Sequence, residues 1–166
     1  MRFPDLFEAL QTSGVRYVLV GGLAANLHGV DRSTYDIDLV LAMDEANLSR
    51  FIEMAKSFHL VPNIPVPMDS LKSPSHIEQW HREKGMVVFS FRVPDAQAYA
   101  IDVLVKPVVS YEELVTEAST SKFMGQPVLI ASKRHLIRLK SAAGRPKDRQ
   151  DIELLSAMIA KENQSP

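Results

Sequence analysis

Cysteine is missing from this chain of 166 residues, and its absence excludes a disulfide framework, a thiolate zinc site and a cysteine nucleophile. Long apolar runs are missing as well. No run approaches the roughly 20 residues that a membrane-spanning helix requires, so we expect no membrane partner. Neither sign of charge dominates, because 19 Lys and Arg oppose 20 Asp and Glu. The chain as a whole therefore has no general attraction for nucleic acid or for an anionic membrane.

The composition that remains is that of an ordinary globular domain, with 46% hydrophobic and 23% charged residues. The length suits a single domain with a small helical appendage. Residues 1–5 show no charged region followed by an apolar stretch, so we expect no secretory signal and a cytoplasmic location.

Helices and strands are mixed in the chain without strict alternation, which predicts an α/β or α+β domain with one mixed sheet. Helices are predicted over 4–13, 23–28, 44–58, 110–118, 132–143 and 148–160. Strands are predicted over 16–20, 36–41, 86–91, 99–105 and 126–130. The proline-containing stretch 62–75 is predicted to be an irregular loop. We expect a core over 1–131, a helical segment over 132–161 packed on it, and a disordered tail over 162–166.

Two glycines lie at the junction between the first predicted strand and the second predicted helix. Gly21 and Gly22 let the backbone approach a ligand closely, and the helix that follows presents free N–H groups. This junction is interpreted either as a phosphate-binding turn or simply as a tight turn.

Acidic residues interrupt two otherwise apolar strands. Asp36 and Asp38 flank Ile37, so in a strand the two carboxylates share one face while Ile37 points to the other. Carboxylates placed in this way can bind a hard divalent cation that also takes phosphate oxygens, although two solvated aspartates on an edge strand are the alternative. Asp102 lies in a third position of this kind, where it needs a metal ion or a basic partner.

Basic residues are concentrated near the end of the chain. Between Lys133 and Arg149 there are seven Lys and Arg, opposed only by Asp148. The cluster is interpreted either as a solvated helix face or as a surface that meets phosphates.

The run 18–39 resembles the nucleotidyltransferase-fold superfamily that includes DNA polymerase beta. The motif of that superfamily is a Gly-Gly or Gly-Ser turn, a spacer, Asp-x-Asp, and a third acid on a later strand. Here 13 residues separate Gly22 from Asp36, and Asp102 takes the third place. The signature His28-Gly29-x-x-Arg32-x-Thr34 and the segment 136–152 are similar to the minimal bacterial AbiEii-type group of abortive-infection and toxin–antitoxin proteins.

This resemblance implies transfer of a nucleoside monophosphate from an NTP, with Mg²⁺ as cofactor and two ions in the site. The implied acceptor is a hydroxyl of RNA, tRNA, a protein or a small molecule. The catalytic and metal-binding carboxylates would be Asp36, Asp38 and Asp102. The residues implied to bind the nucleotide phosphates are Gly21, Gly22, Arg32 and Lys140.

Two other functions stay open at this stage. The resemblance also fits a catalytically weak or inactive nucleotide-binding protein, or the toxin or antitoxin partner in a toxin–antitoxin or phage-defence pair. Gly22 favours this alternative mildly, because many members of the superfamily have a serine hydroxyl there. A nucleic-acid-binding module that uses the basic cluster is the other alternative, and it predicts salt-sensitive binding without Mg²⁺.

Several polar residues allow both a structural and a functional interpretation. His28 suits a helix-end cap or a hydrogen bond to the core, with a substrate contact as the alternative. Arg32 is assigned equally to phosphate binding and to an ion pair, and Thr34 to a backbone contact in its loop. Asp148 and Asp151 are predicted at the N-cap and in the first turn of the last helix. A metal site of His76 and His81 lacks further convincing ligands.

Overall fold

A computed structural model describes residues 3–93 and 100–164. In these ranges the chain forms a seven-stranded sheet flanked by helices. The strands are β1 (Tyr17–Val20), β2 (Ile37–Leu41), β3 (Val61–Pro62), β4 (Val88–Arg92), β5 (Ala100–Leu104), β6 (Ser119–Phe123) and β7 (Gln126–Ile130). The helices are α1 (Phe3–Thr12), α2 (Gly21–Leu27), α3 (Glu45–Ser57), α4 (Pro74–Lys84), α5 (Tyr111–Glu117), α6 (Lys133–Ala143) and α7 (Asp148–Glu162), and a 3₁₀ helix spans Met68–Lys72.

The sheet is mixed, as the sequence predicts, and its strand order is β3-β4-β5-β2-β1-β7-β6. β2 pairs with β5 in parallel, and so does β1 with β7. The remaining neighbours are antiparallel. β2 and β5 lie next to each other near the middle of the sheet, although more than 50 residues of chain separate them. This parallel pairing brings together the two strands that carry acidic residues.

The core lies on both faces of the central strands. Ile37 and Leu39 of β2 and Ile101 and Val103 of β5 are fully buried. Because side chains alternate along a strand, these residues leave the intervening Asp38 and Asp102 together on the opposite face. The hydrophobic pattern of the two strands thereby fixes the direction in which the carboxylates point.

The irregular loop predicted over 62–75 is irregular only in part, because residues 63–67 and 73 lie outside any helix or strand and the others do not. Pro62 belongs to β3, a 3₁₀ helix follows, and Pro74 opens α4, whose first amides are capped by Ser73. Proline is well tolerated in the first turn of a helix because the N–H that it lacks has no partner there, so the residue that suggested a loop marks a helix start. β6 was not predicted, because this edge strand is polar and mostly exposed and has no apolar alternation to detect.

Several boundaries also differ from the prediction. α2 begins at Gly21 rather than after the glycines, and β2 begins one residue after Asp36. The strand predicted from Tyr99 has its first residue outside the described ranges, as do the last two residues of the predicted tail.

The disordered tail predicted from Glu162 is wrong for its first three residues. α7 includes Glu162, and the Asn163 amide donates to the Ile159 carbonyl at 3.1 Å. Helix hydrogen bonds therefore continue past the predicted boundary. Within the described ranges, no helix has the length and hydropathy to cross a bilayer. The division into a core and a C-terminal helical segment stays a prediction.

Candidate functional site

The turn from β1 into α2 lies directly against Asp38. Gly21 has a φ of +69°, and a Cβ atom built there would lie 1.9 Å from Asp38 Oδ2. Neither the backbone conformation nor the space admits a side chain, since left-handed φ values are costly for residues other than glycine. Gly21 is therefore required by its contact with the carboxylate.

Gly22 is equally constrained, by a different neighbour. A Cβ atom at this position would lie 2.6 Å from Thr34 Oγ1 and 3.3 Å from Arg32 Cζ. The backbone N–H of Gly22 donates to the Asp38 carboxylate. The absence of a serine hydroxyl at this position therefore has a local steric cause, the packing of Thr34 and Arg32 against the turn.

Asp38 and Asp102 are register partners across the parallel pair β2–β5. Ser90 of β4 is the register partner of Asp102 on its other side, and its hydroxyl donates to the Asp102 carboxylate. Asp36 lies just before β2, is exposed, and accepts from the backbone N–H of Ala100 at 3.4 Å. The structure thus brings two of the predicted carboxylates side by side and leaves the third at their margin.

Burial and repulsion by neighbouring carboxylates raise the pKa of both central carboxyl groups. Burial contributes most to raising the pKa of Asp38 to about 6, and the charges of Asp102 and Asp36 add to the effect. Burial, followed by the charge of Asp36, also raises the pKa of Asp102. The guanidinium of Arg145 acts in the opposite direction on both pKa values. Negative charge is therefore costly here, as expected where a cation is to be bound.

The donor set at this point suits a hard divalent cation. In the described ranges no group of three or more His, Asp or Glu side chains encloses a point that a metal ion could occupy. Among the same residues, however, Asp102 Oδ1 is buried without a hydrogen-bond partner. Mg²⁺ is usually held by one or two carboxylates together with substrate phosphates, rather than by a cage made of protein alone. Asp38 and Asp102, with Asp36 nearby, fit this pattern.

Lys140 and Arg32, the two predicted phosphate-binding cations, belong to a buried ion-pair network. Lys140 is 3% exposed, and its Nζ lies 2.7 Å from Asp151 Oδ2 and 3.4 Å from Asp148 Oδ1. Arg32 contacts the same Asp151 oxygen at 2.5 Å. The network joins the α2–β2 connection to α6 and α7. Direct phosphate binding by Lys140 and Arg32 stays a prediction, and both side chains already have carboxylate partners.

Asp148 is the first residue of α7 and not its N-cap, which is Lys147. The N-cap prediction is therefore wrong by one residue. The reason is visible in the contacts: the Asp148 side chain turns toward Arg145 and Lys140 instead of capping its own helix. Its place in the first turn still suits the positive end of the helix.

Arg145 is a site residue to which the sequence analysis assigned no role. It follows α6 in the Gly144-Arg145-Pro146 turn, and its Nε lies 2.7 Å from Asp148 Oδ2, with a second contact to Oδ1 at 3.2 Å. Half of its side chain remains exposed, at 52%. A charged residue between a helix-ending glycine and a proline was the available signal, because such a turn holds a side chain at a defined place.

A cavity of about 340 Å³ opens beside Asp38. Its polar lining includes Asp38, Lys140 and Arg145, and the backbone of Gly21. Much of the rest of the lining is aliphatic, from β4, β5, the loop after β5 and α6. A ligand in this cavity would contact both Asp38 and an extended apolar surface.

The other polar candidates have structural partners. His28 Nε2 lies 2.8 Å from the Ala131 carbonyl oxygen, which matches the interpretation as a hydrogen bond to the core, and burial lowers its pKa. His76 stacks on Trp80, whereas His81 Nδ1 contacts the Met86 carbonyl, so the two histidines do not share a metal site.

Ion pairs also occupy much of the basic cluster of residues 133–149. Lys133 pairs with Glu162, and Arg138 pairs with Glu113. Together with the buried Lys140 and the tethered Arg145, these pairs neutralise four of its seven cations.

No protein-family model matches the chain, and no curated protein matches it in sequence. Solved structures nevertheless share its fold. ANT(2")-Ia in complex with adenylyl-2"-tobramycin is 14% identical, with a TM-score of 0.62 over 96% of this chain and 88% of that chain.

Two further structures agree with this likeness. The lincosamide antibiotic adenylyltransferase LnuA, bound to lincomycin, is 14% identical, with a TM-score of 0.61 over 94% of this chain and 97% of that chain. An antigenic nucleotidyltransferase-like protein from Paracoccidioides brasiliensis is 20% identical, with a TM-score of 0.56 over 94% and 72%. The chain therefore has the nucleotidyltransferase fold, which confirms the predicted fold class. Membership of the AbiEii-type group stays a prediction.

Proposed function

We propose that this protein is a metal-dependent nucleotidyltransferase that moves a nucleoside monophosphate from an NTP to a hydroxyl group of an acceptor. The observation that carries the proposal is the register pairing of Asp38 with Asp102 beside the Gly21-Gly22 turn, within a nucleotidyltransferase fold. Two adjacent carboxylates with raised pKa values, one of them with a buried unpartnered oxygen, have no evident structural use in the described part of the chain.

Asp38 and Asp102, with Asp36 at their margin, would hold Mg²⁺. When bound, the ions would neutralise the carboxylates and the phosphate oxygens and stabilise both the attacking and the leaving oxygen. Gly21 and Gly22 would admit the phosphates, because neither residue projects a side chain toward the acids.

The group transfer itself is an in-line substitution at the α-phosphorus. A bond forms between the acceptor oxygen and phosphorus, and the bond from phosphorus to the pyrophosphate oxygen breaks. The Asp102 carboxylate, whose buried Oδ1 has no hydrogen-bond partner in the described part of the chain, accepts the proton that the hydroxyl loses, a role that suits a carboxyl group with a raised pKa. Pyrophosphate leaves with the negative charge.

Arg145 is the cation best placed to meet that leaving charge. It lines the cavity with Asp38 and is half exposed, and it gives two N–H groups to Asp148, which leaves its other guanidinium donors without a partner among the described residues. Lys140, in contrast, is buried between two carboxylates. We therefore assign the direct phosphate contact to Arg145 and the positioning of α7 to Lys140, Asp148 and Asp151.

A small-molecule acceptor has the strongest support. Two of the structural neighbours are complexes with small molecules, adenylyl-2"-tobramycin in one and lincomycin in the other. Transfer to RNA, tRNA or a protein, and a toxin–antitoxin or phage-defence setting, rest on the sequence resemblance alone. The alternative of a protein that binds nucleotide without turnover was mildly favoured by Gly22, and the space that Thr34 leaves at this position offers a steric reason for that glycine instead.

Calorimetric titration of each NTP in the presence of Mg²⁺ tests the proposal. The wild type should bind at least one NTP, and the Asp38→Asn/Asp102→Asn variant should lose the metal-dependent part of that binding. Release of pyrophosphate over a panel of acceptors then measures transfer. Transfer that survives in the double variant would overturn the assignment of the site. NTP binding without transfer to any acceptor would favour the alternative of a catalytically inactive nucleotide-binding protein.

Arg145→Gln provides a separate test of the phosphate contact. The variant should weaken NTP binding more than NMP binding, and it should leave binding of the uncharged nucleoside unchanged, because the contact is to phosphate. Arg149→Gln is the matched control, since it removes the same charge from an exposed residue in the first turns of α7. Equal losses for nucleoside and NTP would show that Arg145 is structural.

A further inference from the structure

The sheet face that carries the acidic pair becomes apolar two residues further along. Asp102 and Leu104 share a face of β5, and their register partners on β4 are Ser90 and Val88. The face therefore changes from Asp102 and Ser90 to Leu104 and Val88 over about 7 Å, the distance that two residues of a strand span. Both apolar residues line the cavity beside Asp38.

One face of α6 supplies the opposite wall. Leu136, Leu139 and Ala143 recur at helical spacing and all line the same cavity. At the mouth of the cavity, Val87 and Val108 are exposed to 45% and 58%. Exposed aliphatic side chains at the entrance of a cavity that is itself aliphatic are typical of a binding site for an apolar ligand. We call this surface the apolar wall: Val87, Val88, Leu104, Val108, Leu136, Leu139 and Ala143.

Charge near the apolar wall does not favour a polyanion. Lys106 pairs with Glu78, and Lys140 lies between two aspartates. Arg145 is tethered to Asp148 at the end of α6, beyond the wall itself. An RNA backbone needs a series of unneutralised cations along its path, and among the described residues this wall carries no such series.

We propose that the apolar wall binds the acceptor, and that the acceptor is a small, uncharged compound whose hydroxyl group is attached to an apolar ring or chain. This inference rests on the proposed nucleotidyl transfer. The acceptor hydroxyl lies at the acidic end of the cavity, which Asp38 lines and where Asp102 is the register partner of Asp38. Since Leu104 and Val88 continue the same face, the carbon skeleton attached to that hydroxyl lies on them. A hydroxyl compound with an apolar face satisfies both ends of the cavity, whereas a polycationic sugar or a nucleic acid satisfies only the acidic end.

Methyl NMR of the whole chain, labelled at Val and Leu, tests the proposal with two small probes. 2-Phenylethanol represents an apolar alcohol, and ribose 5-phosphate represents a polar, anionic one. Only 2-phenylethanol should shift the methyl signals of Val88, Leu104 and Leu136, both without nucleotide and with Mg²⁺ and a non-hydrolysable ATP analogue. If the analogue alone shifts these methyls and excludes 2-phenylethanol, the wall binds the nucleobase and the proposal is wrong.

A charge placed at the exposed entrance provides an independent test. Val108→Asp should weaken binding of 2-phenylethanol by about tenfold through loss of apolar contact and addition of a charge. The substitution is at a residue 58% exposed, so we expect the fold to survive. Val115→Asp is the matched control, because Val115 is also exposed, at 37%, and belongs to α5 rather than to the lining.

The two levels of proposal fail in different ways. Equal binding of 2-phenylethanol by the Val108→Asp and Val115→Asp variants, or no shift of the wall methyls in the wild type, would overturn the assignment of the acceptor. Either result leaves metal-dependent NTP binding intact. If the wild type binds no NTP, that result would instead refute the nucleotidyl transfer on which the inference rests.

Discussion

Asp38→Asn should make the metal-free protein more stable while it abolishes transfer. In the folded chain Asp38 lies between Gly21 and Asp102, and its pKa is raised from 3.8 to about 6, chiefly by burial. Each pKa unit corresponds to about 1.4 kcal/mol, so ionisation of this group costs the folded state about 3 kcal/mol at neutral pH. An asparagine keeps the shape and the acceptor for the Gly22 amide and removes that cost.

The sign of the pH dependence follows from linkage. Below about pH 4 the carboxyl group is protonated in both states, and its contribution to stability is intact. Between the unfolded pKa of 3.8 and the folded pKa of about 6, the unfolded chain loses its proton first, so the free energy of unfolding falls as the pH rises. Above the folded pKa the wild type has lost about 3 kcal/mol of stability, which the variant retains.

Urea unfolding with a chelator present, at about pH 4.5 and about pH 8, measures both effects. The variant should exceed the wild type by about 3 kcal/mol at the higher pH and by much less at the lower pH. Asp36→Asn is the control: it removes the same charge from an exposed position and should give a smaller gain. A variant of equal or lower stability than the wild type at the higher pH would refute the argument that this carboxylate is held at a cost.

Three further predictions concern the residues around this carboxylate. Gly21→Ala should displace Asp38 and lower thermal stability more than Gly14→Ala does. Both glycines have positive φ, but of the two only Gly21 would place a Cβ against a described neighbour. Equal losses of stability would contradict the contact with Asp38. Gly22→Ala should lower the melting temperature, and Thr34→Ala should restore part of the loss, since the new Cβ would lie 2.6 Å from the threonine hydroxyl; additive effects would show that the two residues do not touch. Lys140→Met should lower the free energy of unfolding in urea by about 3 kcal/mol, because it leaves two buried aspartates short of one partner. An unchanged free energy of unfolding would argue against this structural role and favour the predicted role of Lys140 as a phosphate ligand.

The sequence predicted the parts of the fold that depend on local pattern. The β1 turn, the acidic strands and the two last helices follow from apolar runs, glycines and breaks that are visible within short windows. α4 was not predicted because a proline begins it, and β6 was not predicted because an exposed edge strand need not alternate apolar and polar residues. These failures share a cause: the signal that decides them is the position of an element in the fold, and not its composition.

For the candidate site, too, the sequence indicated individual residues but not their neighbours in the fold. Asp38 and Asp102 could be named because an acid inside a buried strand is unfavourable by itself. That Ser90 would stand beside Asp102 depends on the β4–β5 register, which no short window contains. The different surroundings of Lys140 and Arg145 also could not be predicted, since both residues are basic and close together in the chain. Burial between two aspartates separates the first from the second, which remains half exposed.

The contact between Gly21 and Asp38 couples the substitutions that evolution can accept at these two positions. As long as position 38 carries an aspartate in this place, every side chain at position 21 is obstructed, and the positive φ of Gly21 disfavours other residues in addition. A lineage that replaces the glycine first therefore passes through a chain with both a clash and an intact acid. Replacement of the acid is the easier first change, and the glycine is expected to outlast it. The chain described here carries neither replacement.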